Sequence, residues 1–163
     1  MRNLLAQSWC TLSALHGRID AHIERALQSA HGLSVREFSA LLVLSGQHSG
    51  EGGHLMMNQL ADAVGLSQSA TTRLVTRLED RGLLSRYLCA TDRRGIYTDV
   101  TPEGRELLGL AQPTNDAALA AALAEAERQP ELAPLVAAVR SLESSWPAPS
   151  APADAAGART GAA

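Results

Sequence analysis

Hydroxyl, amide and guanidinium side chains recur at helical spacing over residues 67–77. Ala70, Leu74 and Leu78 fall on one side of such a helix, and the polar side chains fall on the other. The polar set is Gln68, Ser69, Thr72, Arg73, Thr76 and Arg77. Groups of this kind donate to phosphate oxygens and base edges in a nucleic-acid groove. Alone, the pattern is more typical of an ordinary solvated amphipathic helix, so the neighbouring segments decide its interpretation.

The segment before this run has the pattern of a shorter helix followed by a tight turn. Leu60, Ala61 and Val64 recur at helical spacing. Gly65 stands where that helix would end, and Ser67 stands where the next helix would be capped. Two helices joined by a turn of about three residues that contains glycine form the helix-turn-helix pattern.

Two extended runs follow the second helix. Gly82 is placed to end that helix, and the runs cover residues 83–88 (LLSRYL) and 96–100 (IYTDV). The loop between them, CATDRRG, carries the adjacent arginines Arg93 and Arg94. A β-hairpin with a basic tip directly after a helix-turn-helix is a wing. The sequence therefore predicts a winged helix.

This order of elements, with the segments RGLLSR, TDRRG and TPEG, resembles the MarR family of winged-helix transcription factors. The matching stretch is residues 58–104, with looser agreement in the flanking helices to about residue 145. The resemblance implies that residues 67–77 enter the major groove of duplex DNA. It also implies that Arg94 reaches into the minor groove while Asp92 holds the neighbouring arginines in place.

We predict two kinds of DNA contact on this surface. Contacts to bases or to the groove floor are expected from Ser69, Thr72, Arg73 and Arg94. Contacts to phosphates are expected from Ser67, Gln68, Thr76, Arg77 and Arg93. Asp92 belongs to the same site as the support of the wing arginines. For Arg81 and Arg86 the sequence leaves a structural role and a DNA contact equally open.

An N-terminal helix over residues 4–29 is predicted to form a dimer interface. Its apolar stripe consists of Leu5, Trp9, Leu12, Leu15, Ile19, Ile23 and Ala26. A helix of that length cannot bury its stripe inside so small a domain, which predicts a homodimer. Gly32 is placed to end it, and Ser34 with Glu37 forms a capping box. The second helix that starts there has the apolar face Phe38, Leu41, Leu42 and Leu44.

After the wing, Thr101, Pro102 and Glu103 have the order of a cap, a first-turn proline and a first-turn carboxylate. The helix that they start is expected to be interrupted or kinked at Pro113 and to resume over residues 116–127. A last helix is predicted over residues 131–145, with the apolar residues Leu135, Val136, Val139 and Leu142. The resemblance implies that these helices pack with the first helix across a two-fold axis.

The expected layout is one domain over residues 1–146, mainly α-helical with a small β-hairpin wing. The DNA-binding lobe is expected at about 56–101, between dimerisation helices at about 4–30 and 102–145. Residues 46–54 have the glycine-rich composition of a flexible connection. Residues 147–163 are rich in alanine and proline, which predicts a disordered tail.

The net charge of −3 does not by itself suggest a nucleic-acid partner. Its distribution does, because residues 67–94 hold six arginines against three acidic residues. All fourteen basic residues are arginine, which suits bidentate contacts to guanine and insertion into narrow minor grooves.

Several other classes of protein are not expected from this sequence. No apolar run reaches the roughly 18 residues of a membrane span, and the N-terminus lacks a signal-peptide pattern. Two cysteines make no disulfide framework, which indicates a reducing, cytoplasmic location. Because phosphate-loop, Rossmann and hydrolase motifs are missing, neither an enzyme nor a cofactor is expected. The histidines have no metal-binding spacing, so no metal site is expected.

The signal that controls the protein is open at this stage. By the resemblance, a small aromatic or phenolic acid would bind between the first helices and the DNA-binding lobe, with the candidates Trp9, Leu12, His16, Arg18 and Phe38. Cys10 is the alternative, because it falls at the place of the reactive cysteine in the peroxide-sensing branch of the family. That branch has tyrosines nearby and this chain has none before Tyr87, which favours a buried, inert Cys10.

Together these patterns predict a homodimeric winged-helix regulator that binds a pseudo-palindromic duplex operator. It is expected to be a repressor relieved by a small aromatic ligand. Two alternatives remain: a peroxide-responsive regulator acting through Cys10, and a winged-helix module for protein contacts without DNA binding.

Overall fold

A computed structural model of the 163-residue chain describes residues 4–46, 55–88 and 96–143. Within these ranges the chain forms six α-helices and a two-stranded antiparallel hairpin. The helices are α1 (Leu4–His31), α2 (Val35–Ser45), α3 (Met57–Val64), α4 (Gln68–Asp80), α5 (Pro102–Glu127) and α6 (Ala133–Glu143). The strands are β1 (Leu84–Leu88) and β2 (Ile96–Val100), between α4 and α5. The predicted winged-helix order of elements is thus confirmed.

The turn between α1 and α2 forms where the sequence predicts it. Gly32 follows α1 with a φ of +62°, a left-handed conformation that glycine adopts without strain. The Ser34 hydroxyl then accepts a hydrogen bond from the Glu37 amide at 3.1 Å. In return, the Glu37 carboxylate accepts one from the Ser34 amide at 2.9 Å. This reciprocal pair is the predicted capping box, and it satisfies backbone donors that the first turn of α2 leaves unpaired.

Helices α3 and α4 form the predicted helix-turn-helix. Gly65 ends α3 in the left-handed conformation, and Ser67 caps α4. The buried face of α4 is centred later than predicted, because Thr71 and Val75 are fully buried with Leu74 and Leu78 whereas Ala70 is half-exposed. The Thr71 hydroxyl donates to the Ser67 carbonyl oxygen at 3.0 Å, which allows a polar side chain to occupy the core.

The hairpin pairs Leu84 with Val100 at its base and Tyr87 with Tyr97 further along. The two tyrosine rings stack across the strands with centroids 6.1 Å apart. Cross-strand aromatic pairs of this kind stabilise a short two-stranded hairpin.

Helix α5 begins as predicted, with the Thr101 hydroxyl accepting from the Gly104 amide at 3.0 Å and with Pro102 in the first turn. Of the predicted interruption or kink at Pro113, the interruption is wrong, since α5 continues through this residue to Glu127. Proline removes one amide donor to the carbonyl four residues earlier, here Gly109. Both residues lie on the exposed side of α5, where that carbonyl can be hydrated.

Two apolar clusters fill the interior of the described part of the chain. The larger one joins the second half of α1 to α2, α3, α4, the hairpin and the first half of α5. The smaller one joins Leu15 of α1 to the end of α5 and to α6. Ile19 and Leu119 pack against both clusters, so α1 and α5 connect them. The core that supports α4 therefore extends beyond residues 56–101 into α1 and α2.

Part of the predicted apolar surface is not buried within the chain. In α1, Leu5 is 81% exposed and Trp9 is 66% exposed. In α6, Val136 is fully buried whereas Val139 and Leu142 are exposed, and Leu42 of α2 is also exposed. Among the residues described, no helix is long and apolar enough to cross a membrane.

Some predictions concern residues outside the described ranges. These are the glycine-rich connection, the wing-tip residues Asp92, Arg93 and Arg94, and the tail over residues 147–163.

Candidate nucleic-acid interface

The exposed side of α4 carries most of the predicted DNA contacts. Ser67, Gln68, Ser69, Thr72 and Arg73 are all exposed. The Ser67 hydroxyl accepts from the Ala70 amide at 3.3 Å, so Ser67 ends the turn and starts the helix. The structure therefore brings these polar side chains together on one surface at the start of α4.

The polar groups of this surface are held in different ways. The Thr72 hydroxyl donates to the Gln68 carbonyl oxygen at 2.9 Å, which orients its methyl group and leaves its oxygen as an acceptor. Arg73 makes no ion pair with any described residue. Its guanidinium group keeps five donors in a planar fork that matches guanine or phosphate. Of the α4 arginines, Arg73 is thus the one best placed for a base contact.

Arg77 and Arg81 contact α2 as well as solvent. Both guanidinium groups lie within 4 Å of the Glu37 carboxylate, which is almost completely buried. Arg81 also donates to the Gly32 carbonyl oxygen at 3.1 Å. This contact favours the structural role for Arg81, whereas Arg77 is more than half exposed and stays a predicted phosphate contact.

Thr76 differs in its surroundings from the other predicted phosphate contacts. It is half-buried, and its hydroxyl accepts a hydrogen bond from Arg86 of β1 at 3.2 Å. The Arg86 Nε also donates to the Glu79 carboxylate at 2.8 Å, and its NH2 group contacts the same oxygen. Arg86 therefore joins the base of the wing to α4. These contacts favour the structural role for Arg86.

The hydrogen bonds between Arg86 and Glu79 shift the pKa values of both side chains. The side-chain hydrogen bond from Arg86 holds the pKa of Glu79 below its ordinary value of 4.5, and desolvation opposes that shift. The same hydrogen bond raises the pKa of Arg86. A carboxyl group whose pKa is lower in the folded than in the unfolded state stabilises the fold above its unfolded pKa. That contribution is lost as the pH falls through the folded value.

Glu79→Gln is accordingly expected to destabilise the protein in a pH-dependent way. At about pH 7 the free energy of unfolding should fall by about 1 kcal/mol or less, as for a partly exposed ion pair. As the pH falls from 4.5 through the lowered pKa of folded Glu79, the difference from the unchanged protein should shrink, because the carboxylate becomes protonated. Urea titrations at a series of pH values measure this effect.

Glu106→Gln is the matched control for that experiment. Glu106 lies exposed on α5 and makes no ion pair with a described residue. Its replacement should change the urea midpoint little at any pH. A Glu79→Gln difference that stays constant from neutral to acidic pH would contradict the assigned role of the Glu79 charge.

The predicted ligand residues do not form one site. Phe38 lies in the larger core, and Trp9 is 66% exposed about 20 Å along α1 from Ile23 of that core. Leu12 and His16 are also exposed on α1. Within the chain by itself these residues do not share a pocket, and the buried position of Phe38 is core packing. Their role as a ligand site stays a prediction.

A cavity of about 360 Å³ lies instead between α1 and the C-terminal part of α5. Arg18 is the one predicted ligand residue that lines it, and Arg18 donates to Gln129 at 3.1 Å. His22 and Arg25 line the same cavity and were missed, although they follow Arg18 at the i+4 and i+7 positions of one helix face. Leu15, Ile19, Ala122, Ala126 and Leu132 supply its apolar lining.

Cys10 is exposed on α1, so the expectation of a buried thiol is wrong for the chain by itself. Within one helical turn it has only Ala6, Gln7, Ser13 and Ala14 as neighbours on α1, and none of these carries a positive charge. Among the described residues, no group of three histidine, cysteine or acidic side chains could hold a metal ion.

Comparison with known proteins places this geometry in a family. The family model described as MarR family matches residues 31–95, which include α2, α3, α4 and β1. The HTH-type transcriptional regulator MhqR of Bacillus subtilis (strain 168) is 32% identical over 97 residues. That alignment covers 60% of this chain and 63% of MhqR, so the matched stretch spans less than two thirds of the relative.

Solved structures agree over a longer part of the chain. Sco3205, a MarR family transcriptional regulator from Streptomyces coelicolor solved in complex with DNA, has a TM-score of 0.68 and 23% identity, covering 94% of this chain and 95% of its own. CouR from Rhodococcus jostii RHA1, bound to p-coumaroyl-CoA, has a TM-score of 0.64 and 30% identity, covering 89% and 94%. With its helix-turn-helix, wing strands and flanking helices in this order, the chain belongs to the MarR family.

Proposed function

We propose that this protein is a transcription regulator that binds duplex DNA in a sequence-specific manner. The observation that carries the proposal is the exposed surface of α4, where Ser69, Thr72 and Arg73 offer hydrogen-bonding groups. A buried face of Leu74, Val75 and Leu78 fixes this helix on the core, so the surface is presented rigidly. Rigid presentation of donors in a major groove is how a recognition helix reads base edges.

A homodimer would present two such helices. The exposed apolar residues Leu5 and Trp9 of α1, and Leu142 of α6, support a second copy as the partner that covers them. Two-fold symmetry would then require a pseudo-palindromic operator with half-sites about one helical turn apart. The wing arginines Arg93 and Arg94 are proposed to add phosphate and minor-groove contacts, with Asp92 as their support, as the family resemblance implies.

Regulation by a small organic acid is the second part of the proposal. The cavity between α1 and α5 combines an apolar lining with the guanidinium groups of Arg18 and Arg25, against one carboxylate, Glu125. This composition suits an aromatic body with an anionic group. CouR is bound to p-coumaroyl-CoA, which supports an organic anion as the class of ligand. A ligand would induce the regulated genes if it bound better to a dimer whose recognition helices are not spaced to fit successive major grooves. The dimer would then release its operator, as a repressor does on induction.

Fluorescence-anisotropy titration of the protein tests the first part. Labelled duplex from the region upstream of its own coding sequence is compared with a scrambled duplex at two salt concentrations. We expect tighter binding to the upstream duplex and a steep fall with salt, since a dimer would neutralise roughly six to ten phosphates. No binding to either duplex at low salt would contradict DNA binding and favour a protein-contact module. Repeating the titration in the presence of phenolic acids, and separately in the presence of peroxide, distinguishes regulation by a small organic acid from regulation by oxidation of Cys10.

A further inference from the structure

Two arginines of α4 meet one buried carboxylate of α2. The Glu37 side chain is 8% exposed, and its Oε1 lies 3.4 Å from the Nε of Arg77. Its Oε2 lies 3.6 Å from the NH1 group of Arg81. A buried carboxylate is costly unless it is paired, so these contacts account for an acidic residue in the interior.

The position of the Glu37 carboxylate is set by its own helix. Its Oε2 accepts from the Ser34 amide at 2.9 Å in the capping box of α2. The neighbouring Arg36 donates to the Val64 carbonyl oxygen at 3.1 Å, at the end of α3. Helix α2 thus contacts both helices of the helix-turn-helix through adjacent side chains. Glu37 supplies a fixed acceptor for α4 because it cannot rotate without losing the capping contact.

Arg77 is held at one edge of its guanidinium group only. Its Nε donates to Glu37, whereas its terminal amino groups make no hydrogen bond with a described residue. The side chain is 58% exposed and lies one turn after Arg73, on the DNA-facing side of α4. The outer edge of the guanidinium is therefore open to a phosphate while the inner edge is anchored.

We propose that Glu37 is a positioning residue for DNA recognition, which holds the inner edge of Arg77 so that its outer edge meets a backbone phosphate in one register. Glu37 does not touch DNA, because its carboxylate is buried and has the same charge sign as a phosphate. Phosphate contacts set the register in which base contacts can form. Glu37 should therefore contribute to the preference for one DNA sequence over another rather than to the overall affinity for DNA. This inference rests on the proposed DNA-binding function.

Glu37→Gln removes the charge and keeps the fold, since glutamine also completes a capping box. We expect the preference for the upstream duplex over the scrambled duplex to fall by about tenfold, the scale of a coupling between residues in contact. Affinity for the scrambled duplex should hold or rise, because one negative charge per protomer is removed near the phosphates. A merely structural defect would lower binding to both duplexes.

A double-mutant cycle with Arg77→Gln separates positioning from folding. In the Arg77→Gln background, Glu37→Gln should leave the preference unchanged within about twofold, because the anchored group is gone. Arg77→Lys is a second variant that does not disturb α2. The lysine ammonium group is a point charge and cannot contact Glu37 and a phosphate through two separate edges. The Arg77→Lys variant should therefore lose the preference in the same way.

The outcomes separate the inference from the proposed function. If the unchanged protein binds neither duplex, the DNA-binding function and the role of Glu37 are both overturned. If the unchanged protein prefers the upstream duplex and both Glu37→Gln and Arg77→Lys keep that preference, only the role of Glu37 is overturned. An equal loss from Glu37→Gln with and without Arg77 would also overturn it.

Discussion

Replacing Gly104 by alanine is expected to lower the free energy of unfolding by about 3 kcal/mol. A Cβ atom at this position would lie 2.2 Å from the Leu83 carbonyl oxygen and 2.8 Å from Cγ1 of Val100. The nearer atom belongs to the backbone, so no side-chain rotation relieves the overlap. Helix α5 would have to move away from the base of the hairpin.

Such a movement would break the contacts that join α5 to the start of β1. The Thr101 amide donates to the Leu83 carbonyl oxygen at 3.2 Å, and the Thr101 hydroxyl donates to the Gly82 carbonyl oxygen at 2.7 Å. The destabilisation should therefore exceed that of an ordinary substitution in a helix. Urea unfolding followed by circular dichroism, at one fixed protein concentration, measures it.

Gly109→Ala is the matched control in the same helix. Gly109 is exposed, and a Cβ there would meet nothing within 4 Å. This change should raise the free energy of unfolding by about 0.5–1 kcal/mol, the usual gain of alanine over glycine inside a helix. Equal midpoints for Gly104→Ala and Gly109→Ala would contradict the close packing of α5 against the hairpin.

Arg73→Ala is expected to weaken binding to the upstream duplex by about tenfold or more, since a bidentate base contact contributes about 1–3 kcal/mol of discrimination. Its effect on stability should be small, because Arg73 is exposed and pairs with no described residue. Anisotropy titrations against the upstream and scrambled duplexes measure the change. The loss should be larger for the upstream duplex, which distinguishes a base contact from a phosphate contact that does not set the register.

Arg128→Ala removes the same charge at the far end of α5 and serves as the control. Arg128 is exposed and makes no ion pair with a described residue. It should bind both duplexes nearly as the unchanged protein does. If Arg73→Ala lost affinity equally for both duplexes, Arg73 would be a phosphate contact instead. If it lost none, the assignment of the α4 surface would be wrong.

Short-range sequence signals predicted the order and most of the ends of the elements. Ser34, Ser67 and Thr101 cap helices, and Gly32 and Gly65 adopt positive φ values, where the sequence placed them. A cap needs only a side-chain oxygen and an amide within three residues, so its contacts are local. The resemblance to the MarR family depended on the same local order and was correct.

Predictions that depended on contacts between distant segments were less accurate. Thr71 was not expected in the core, and Phe38 was expected beside Trp9 although the two lie in different parts of the chain. The continuation of α5 through Pro113 depends on which side of the helix faces solvent. Periodicity along one segment indicates that a face exists, but not which other segment covers it.

The arginines show the difference between local sequence signals and contacts between distant segments. The sequence alone predicts a helix-turn-helix with arginines on its second helix, followed by a hairpin, because helix caps, turns and periodic apolar residues act over a few positions. Which arginine meets which carboxylate depends on the tertiary fold. It brings Glu37 of α2 to Arg77 and Arg81, and Arg86 of β1 to Glu79, while Arg73 pairs with no described residue. Each pair joins residues that only folding brings together, because a charge finds its partner through space.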